Sequence, residues 1–199
     1  MRICYTDSFP FPLPPDHRFP LEKYGLLRKR ILASDFGKSQ HLAIPRAATD
    51  EEILRVHDAD YWRRMQTGEV CVKEMRRIAL EDNTGDLEYQ QTLAKSLERI
   101  FESFEPELAI YLAGADPYKG DRFGKLALTR QGLVARDRLV FDHWRRAGLP
   151  VAVALAGGYA RNISDTVDIH FQTVRAALDY GQRVGFDSGG LDGRNRTNQ

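Results

Sequence analysis

Apolar positions along the chain fall into short unbroken runs and longer stretches with helical spacing. Arg2 to Thr6 is a brief apolar run that predicts a buried strand. Phe9-Pro10-Phe11-Pro12-Leu13-Pro14-Pro15 excludes regular structure, because each proline fixes φ and removes a donor. Pro20 suits the first position of a helix on which Leu21, Tyr24, Leu27 and Ile31 keep helical spacing, with Gly37 past its end. Leu42-Ala43-Ile44 is a second strand candidate. Thr49 and Glu52 then form a capping box for a helix carrying Ile53, Leu54 and Val56, continued in pieces through Tyr61 and Met65.

The second half is more regular. Leu87 to Phe104 predicts an amphipathic helix with Leu93, Leu97, Ile100, Phe101 and Phe104 on one face, closed by Pro106. Leu108 to Gly114 reads as a buried strand, and Thr129 caps a helix from about Gln131 to Arg146 that ends at Gly148. Val151 to Leu155 is another apolar strand, stopped at Gly157-Gly158, and Ser164 starts a last helix through about Tyr180. Helix, strand, helix, strand, helix, with unbroken apolar strands, predicts an α/β fold: a parallel sheet with helices on both faces. Residues 71–92 hold no convincing strand, so the first half supplies few partners for that sheet. The expected organisation is a single domain over 1–182 and a glycine-rich, disordered tail over 183–199.

Composition narrows the functional classes. The 199 residues carry 29 basic and 28 acidic side chains, so a net charge of +1 gives no global reason for nucleic-acid binding. Arg63-Arg64, Arg76-Arg77 and Arg145-Arg146 read as solvated helix faces. No apolar run reaches the ~20 residues that span a bilayer, and Met1 to Tyr5 lacks the features of a signal peptide. A cytoplasmic protein with no nucleic-acid or membrane partner is expected. Cys4 and Cys71 are too few for a disulfide framework or a zinc cage and are expected to be small buried hydrophobes.

Functional groups of parallel sheets collect at the carboxyl ends of the strands, and two such ends are unusual here. Leu112-Ala113-Gly114-Ala115-Asp116-Pro117 places Asp116 at a strand tip, where a carboxylate ligates a metal, acts as a base or caps the next turn. Leu155-Ala156-Gly157-Gly158-Tyr159 projects Tyr159 after two glycines, either as an oxyanion donor or as a packed aromatic. His17, His41, His57, His143 and His170 form no His-His or His-x-x-x-His pattern. Asp168-x-His170 lies within a predicted helix, where residues two apart diverge, so it is rejected as a metal site. His57 and His143 are placed in helical segments near arginines. No phosphate-binding loop, dinucleotide fingerprint or Gly-x-Ser-x-Gly elbow is present.

Together the motifs resemble those of one family. Leu13 to Tyr24, Val56-His57-Asp58-Ala59-Asp60-Tyr61 and Lys73 to Ile78 resemble the N-terminal region of bacterial histone-deacetylase-like proteins, in the histone deacetylase and acetoin-utilisation family. Asp82-Asn83-Thr84-Gly85-Asp86, Leu112 to Pro117, Gly120-Asp121-Arg122 and Gly157-Gly158-Tyr159-Ala160 resemble its later motifs. The resemblance implies an arginase-like α/β fold and zinc-dependent hydrolysis of acetyl-lysine or a small acetylated amine. In that family two aspartates and one histidine hold the zinc, a histidine pair acts as base and acid, and a tyrosine polarises the carbonyl. Carried over, Asp116 resembles one zinc ligand, Tyr159 the oxyanion-stabilising tyrosine, and Gly157 and Gly158 its loop; Arg18 would face the inner cavity.

The resemblance also implies a deletion. The family's histidine pair and Asp-x-His ligand strand belong between Ile78 and Glu81, where this sequence steps directly across, and Ala156 stands where the family's first glycine would be. The expected molecule is an internally truncated deacetylase-family domain that binds zinc weakly, if at all, and is inactive by itself. The alternatives are a non-catalytic binding or regulatory remnant working through a partner subunit, and an enzyme completed by a partner chain.

Overall fold

A computed structural model describes residues 2–7, 17–37, 42–67, 79–103 and 106–183. The expectations for Phe9–Pro15, His41, Cys71, Lys73–Ile78, Phe104 and the tail beyond Arg183 lie outside these residues. Two parallel ladders form. Strand β1 (Ile3–Cys4) pairs with β2 (Leu42–Ala43), and β3 (Ala109–Gly114) pairs in full register with β4 (Val151–Ala156). The helices are α1 (Glu22–Leu32), α2 (Asp50–Leu54), α3 (Ala59–Thr67), α4 (Asp86–Ser103), α5 (Arg130–Arg146) and α6 (Ile163–Arg183).

Local sequence explains most boundaries. The Thr49–Glu52 box closes in both directions at the start of α2. The Thr129 hydroxyl accepts from the Gly132 amide at 2.9 Å to cap α5, and Gly148 leaves the helix at φ +66°. At α1 the turn opens at Pro20, whose carbonyl accepts from the Lys23 amide at 3.1 Å. The cap of α6 is Asn162 rather than the expected Ser164: its side-chain oxygen accepts from the Ser164 amide at 3.1 Å. His57 sits at the bend between α2 and α3, against Tyr61, and not in a helix.

Helices α5 and α6 cover one face of β3–β4. Tyr111, Val151 and Val153 pack against Phe141, Ala177 and Tyr180, while α1 and α6 meet through Leu27, Ile31, Val167, Phe171 and Val174. The alternate strand residues point away from these helices: Ile110 is 72% and Leu112 69% exposed. Helices on both faces were expected; among the described residues one face of this ladder is bare. An unbroken apolar run predicts two buried faces, yet burial here alternates with the pleat. Cys4 corrects another expectation, being exposed. The same alternation half-buries Ile3 and Tyr5 and turns Cys4 outward. A cleft of about 640 Å³ separates β1 from β4, lined by Ile3, Leu27, Leu42, Val153 and Leu155 among others.

Candidate functional site

Pairing of β3 with β4 continues one residue beyond the ladder, where the Ala115 amide donates to the Ala156 carbonyl at 3.2 Å. This extension sets Asp116 against Gly157-Gly158. The Gly158 amide donates to Asp116 Oδ1 at 3.0 Å. Gly157 adopts φ +56°, and a Cβ there would lie 1.7 Å from Asp116 Oδ2, so neither conformation nor space admits a side chain. The next amide, of Tyr159, donates to Asp121 Oδ2 at 2.6 Å. The other oxygen of Asp121 accepts from Phe123 and Gly124 at 2.8 and 2.9 Å. Two carboxylates from the loop after β3 thus hold two successive amides of the loop after β4.

Tyr159 is half-buried, with its ring edge-on to Phe19 at 5.9 Å and to Phe123 at 5.1 Å. Arg18 lies on the exposed side of this cluster, its guanidinium 5.8 Å from the Phe123 ring, instead of facing inward. Lys23 enters from α1. It is 1% exposed, donates to the Gly157 carbonyl, and places its ammonium 4.6 Å from the Phe19 ring, 5.2 Å from Tyr24 and 6.0 Å from Tyr159. Burial lowers its pKa, and the charges of Asp116 and Asp121 oppose that shift.

His170, also 1% exposed, lies beneath the loop. Neither ring nitrogen makes a hydrogen bond of normal geometry among the described residues, although the Gly157 backbone is near. Burial pushes the imidazole down to about 4, Lys23 and Arg136 adding to that effect while Gly157 and Asp116 resist it. Asp168, two residues earlier, turns the other way to pair with Arg30. That divergence is the one expected of helical residues two apart.

A buried network anchors the strand end. Arg136 of α5 donates to the Gly114 carbonyl at 2.6 Å and to Asp137 at 2.9 Å. Asp137 also accepts from the hydroxyls of Tyr111, at 2.5 Å, and Thr173, at 2.6 Å. Strand β3 and helices α5 and α6 are thereby tied at one point. Asp86 does the same for α4, accepting from the Thr129 amide at 2.8 Å and its hydroxyl at 2.6 Å.

Comparison with known proteins fits this arrangement of motifs. The sequence profile of the histone deacetylase domain matches residues 68–174, more than half of the chain. The chain belongs to the histone deacetylase family. An uncharacterized protein of Picosynechococcus sp. is 45% identical over 102 residues, which are 51% of this chain and 34% of that protein. Histone deacetylase 2 of Arabidopsis thaliana is 34% identical over 97 residues, 47% of this chain and 25% of its own length. The chain therefore spans about a third of one relative and a quarter of the other.

Zinc is the metal that this family implies, and the described residues of the deacetylase-family chain do not fit it. No group of three His, Cys, Asp or Glu side chains converges among them. Asp116 already accepts an amide, with an ammonium held nearby. A catalytic zinc needs three protein ligands. Among the described residues no helix is long and apolar enough to cross a membrane.

Sequence patterns single out Asp116, Tyr159 and the glycines; they hold Lys23 and Asp121 only inside longer motifs, and weigh His170 only within Asp168-x-His170, which is rejected as a metal pair. Lys23 carried one signal: it sits four and eight residues before Leu27 and Ile31, on the buried stripe of α1. Asp121 was visible only as part of Gly120-Asp121-Arg122.

Proposed function

We propose that this chain is a histone-deacetylase-family domain of arginase/deacetylase-like type, internally truncated between Ile78 and Glu81, and that by itself it does not hydrolyse acetyl amides. Asp116 stands at a metal-ligand position and Tyr159 at the oxyanion-donor position, with Gly157 and Gly158 shaping the loop. Family chemistry on acetyl-lysine or a small acetylated amine also requires two further zinc ligands and a histidine pair to move protons. The sequence contains no adjacent histidines, and its one Asp-x-His diverges on α6. The observation that carries the reading is that Asp116, whose Oδ1 accepts the Gly158 amide, is joined by no two further His, Cys, Asp or Glu side chains among the described residues.

The reading has a direct test in the genomic DNA across the codons for Ile78 to Glu81. A clean join there supports a natural deletion; codons for a histidine pair in any frame would overturn the truncated reading. A second reading, a non-catalytic remnant working through a partner subunit in the cytoplasm, is favoured by the exposed Ile110 and Leu112 side chains. Purified protein running as a stable monomer that captures no other subunit would count against it.

A further inference from the structure

Ile3 and Leu42 of the first ladder and Leu155 of the second pack against one cluster of α1 and α6 side chains, so both ladders lie on the same helix layer. The cleft of about 640 Å³ runs between them. Arg2 to Asp7 and Pro150 to Leu155 line it without a break, odd and even residues alike. One face of a strand would supply only alternate residues, so the cleft meets both strands at their edges. Backbone bonding agrees. The amide and carbonyl of a strand residue point to one side, and those of its neighbours to the other. The Ala109 amide donates to the Pro150 carbonyl at 3.0 Å and the Ala115 amide to the Ala156 carbonyl at 3.2 Å. The even-numbered residues of β4 therefore bond to β3, and the backbone groups of Val151, Val153 and Leu155 face the cleft. On the other wall the Tyr5 amide donates to the Ala43 carbonyl at 3.1 Å, which turns the backbone groups of Cys4 toward the cleft. Among the described residues no third strand pairs with either edge.

An apolar slot walled by two rows of unpaired amides and carbonyls matches one class of ligand, an extended polypeptide. A small apolar molecule would leave those backbone groups unsatisfied. We propose that the cleft between β1 and β4 accepts one apolar β-strand from a partner polypeptide, which joins the two ladders into a continuous sheet. The Val151–Leu155 edge is about 16 Å long, room for about five residues of that strand. Leu27, Ile31, Val174 and Ala177 line the slot from the helix layer, so valine or isoleucine at alternate positions fits it. Asp7 also lines it, and its buried Oδ1, which has no hydrogen bond among the described residues, takes a further donor. The partner subunit of the second functional reading thus contributes an extended apolar segment, and the proposal rests on that reading.

The test adds to the full chain a fluorescein-labelled peptide of alternating valine and threonine with a lysine at each end, followed by fluorescence anisotropy and amide hydrogen exchange. Expected are saturable binding and slowed exchange at Cys4, Val151, Val153 and Leu155, with Ala152 and Ala154 unchanged because β3 already protects them. The same peptide N-methylated at its valines is expected to bind weaker by about tenfold or more. Val153→Pro removes a cleft-facing amide, spares the bonds to β3, and is expected to weaken binding as well. If that variant does not fold, the N-methylated peptide carries the comparison. No saturable binding, equal binding of the N-methylated peptide, or binding that leaves Val151, Val153 and Leu155 unprotected overturns the proposal. So does slow exchange at those amides in a dimer without peptide, which would assign the slot to a second copy of this chain. A chain that binds the peptide but captures no natural subunit would overturn the partner reading and not the slot, so the two fail separately.

Discussion

The Gly158 amide reaches Asp116 Oδ1 at 3.0 Å across 42 residues of sequence, so the loop after β4 is held by a carboxylate from the loop after β3. That contact requires the chain to turn at Gly157 with φ +56°, against the same carboxylate. Gly157→Ala is therefore expected to displace Asp116 and strain the backbone together, lowering unfolding free energy by about 2 kcal/mol or more. Guanidinium denaturation measures it. A loss under about 0.5 kcal/mol would show that the loop is not built this way.

Beneath the site, Asp137 balances the buried guanidinium of Arg136, which is 4% exposed. Asp137→Ala leaves that cation without its carboxylate and is expected to cost roughly 3–5 kcal/mol. Thr173→Val removes one neutral donor to Asp137 and is expected to cost about 1–2 kcal/mol. Equal losses in the two variants, read from the same unfolding curves, would refute the ranking.

Much of this frame was legible because local chemistry and tertiary placement agree. Thr49, Thr129 and Gly148 cap where their residue types predict, and both strands of the β3–β4 ladder are unbroken apolar runs. Ser164 was a plausible cap, but Asn162 lies two residues nearer the turn and has its own acceptor. Covered faces were harder to read, since Ile110 and Leu112 look the same in sequence whether or not a helix lies over them. Lys23 was hidden for a different reason. A lysine in a helical stripe reads as surface, and its charge partners, Asp116 and Asp121, are about a hundred residues away.

His170 links the fold to pH. Its imidazole sits near 4 in the folded protein against an ordinary value of 6.5, so the unfolded chain binds the proton more readily. Stability is expected to fall as pH drops from 6.5 toward 4, by roughly 3 kcal/mol at most, and this contribution levels off below that. Unfolding midpoints of the parent and His170→Leu between pH 4 and 7 measure the difference. Parallel pH profiles would contradict it.

The exposed apolar side chains of β3, Ile110 and Leu112, bear on solubility. Ile110→Thr with Leu112→Thr is expected to reduce aggregation in light scattering while changing stability by no more than about 0.5 kcal/mol per site. A loss above about 2 kcal/mol would mean that this face is covered in solution.

The proposed reading is of a deacetylase-family chain that keeps Asp116 and Tyr159 at family positions and by itself does not hydrolyse acetyl amides. It is tested most directly by incubating the purified protein with an acetyl-lysine peptide across a zinc titration, following acetate release and bound metal together. The expected result is no release above the buffer rate and no stoichiometric zinc; one zinc per chain with steady turnover would contradict the account.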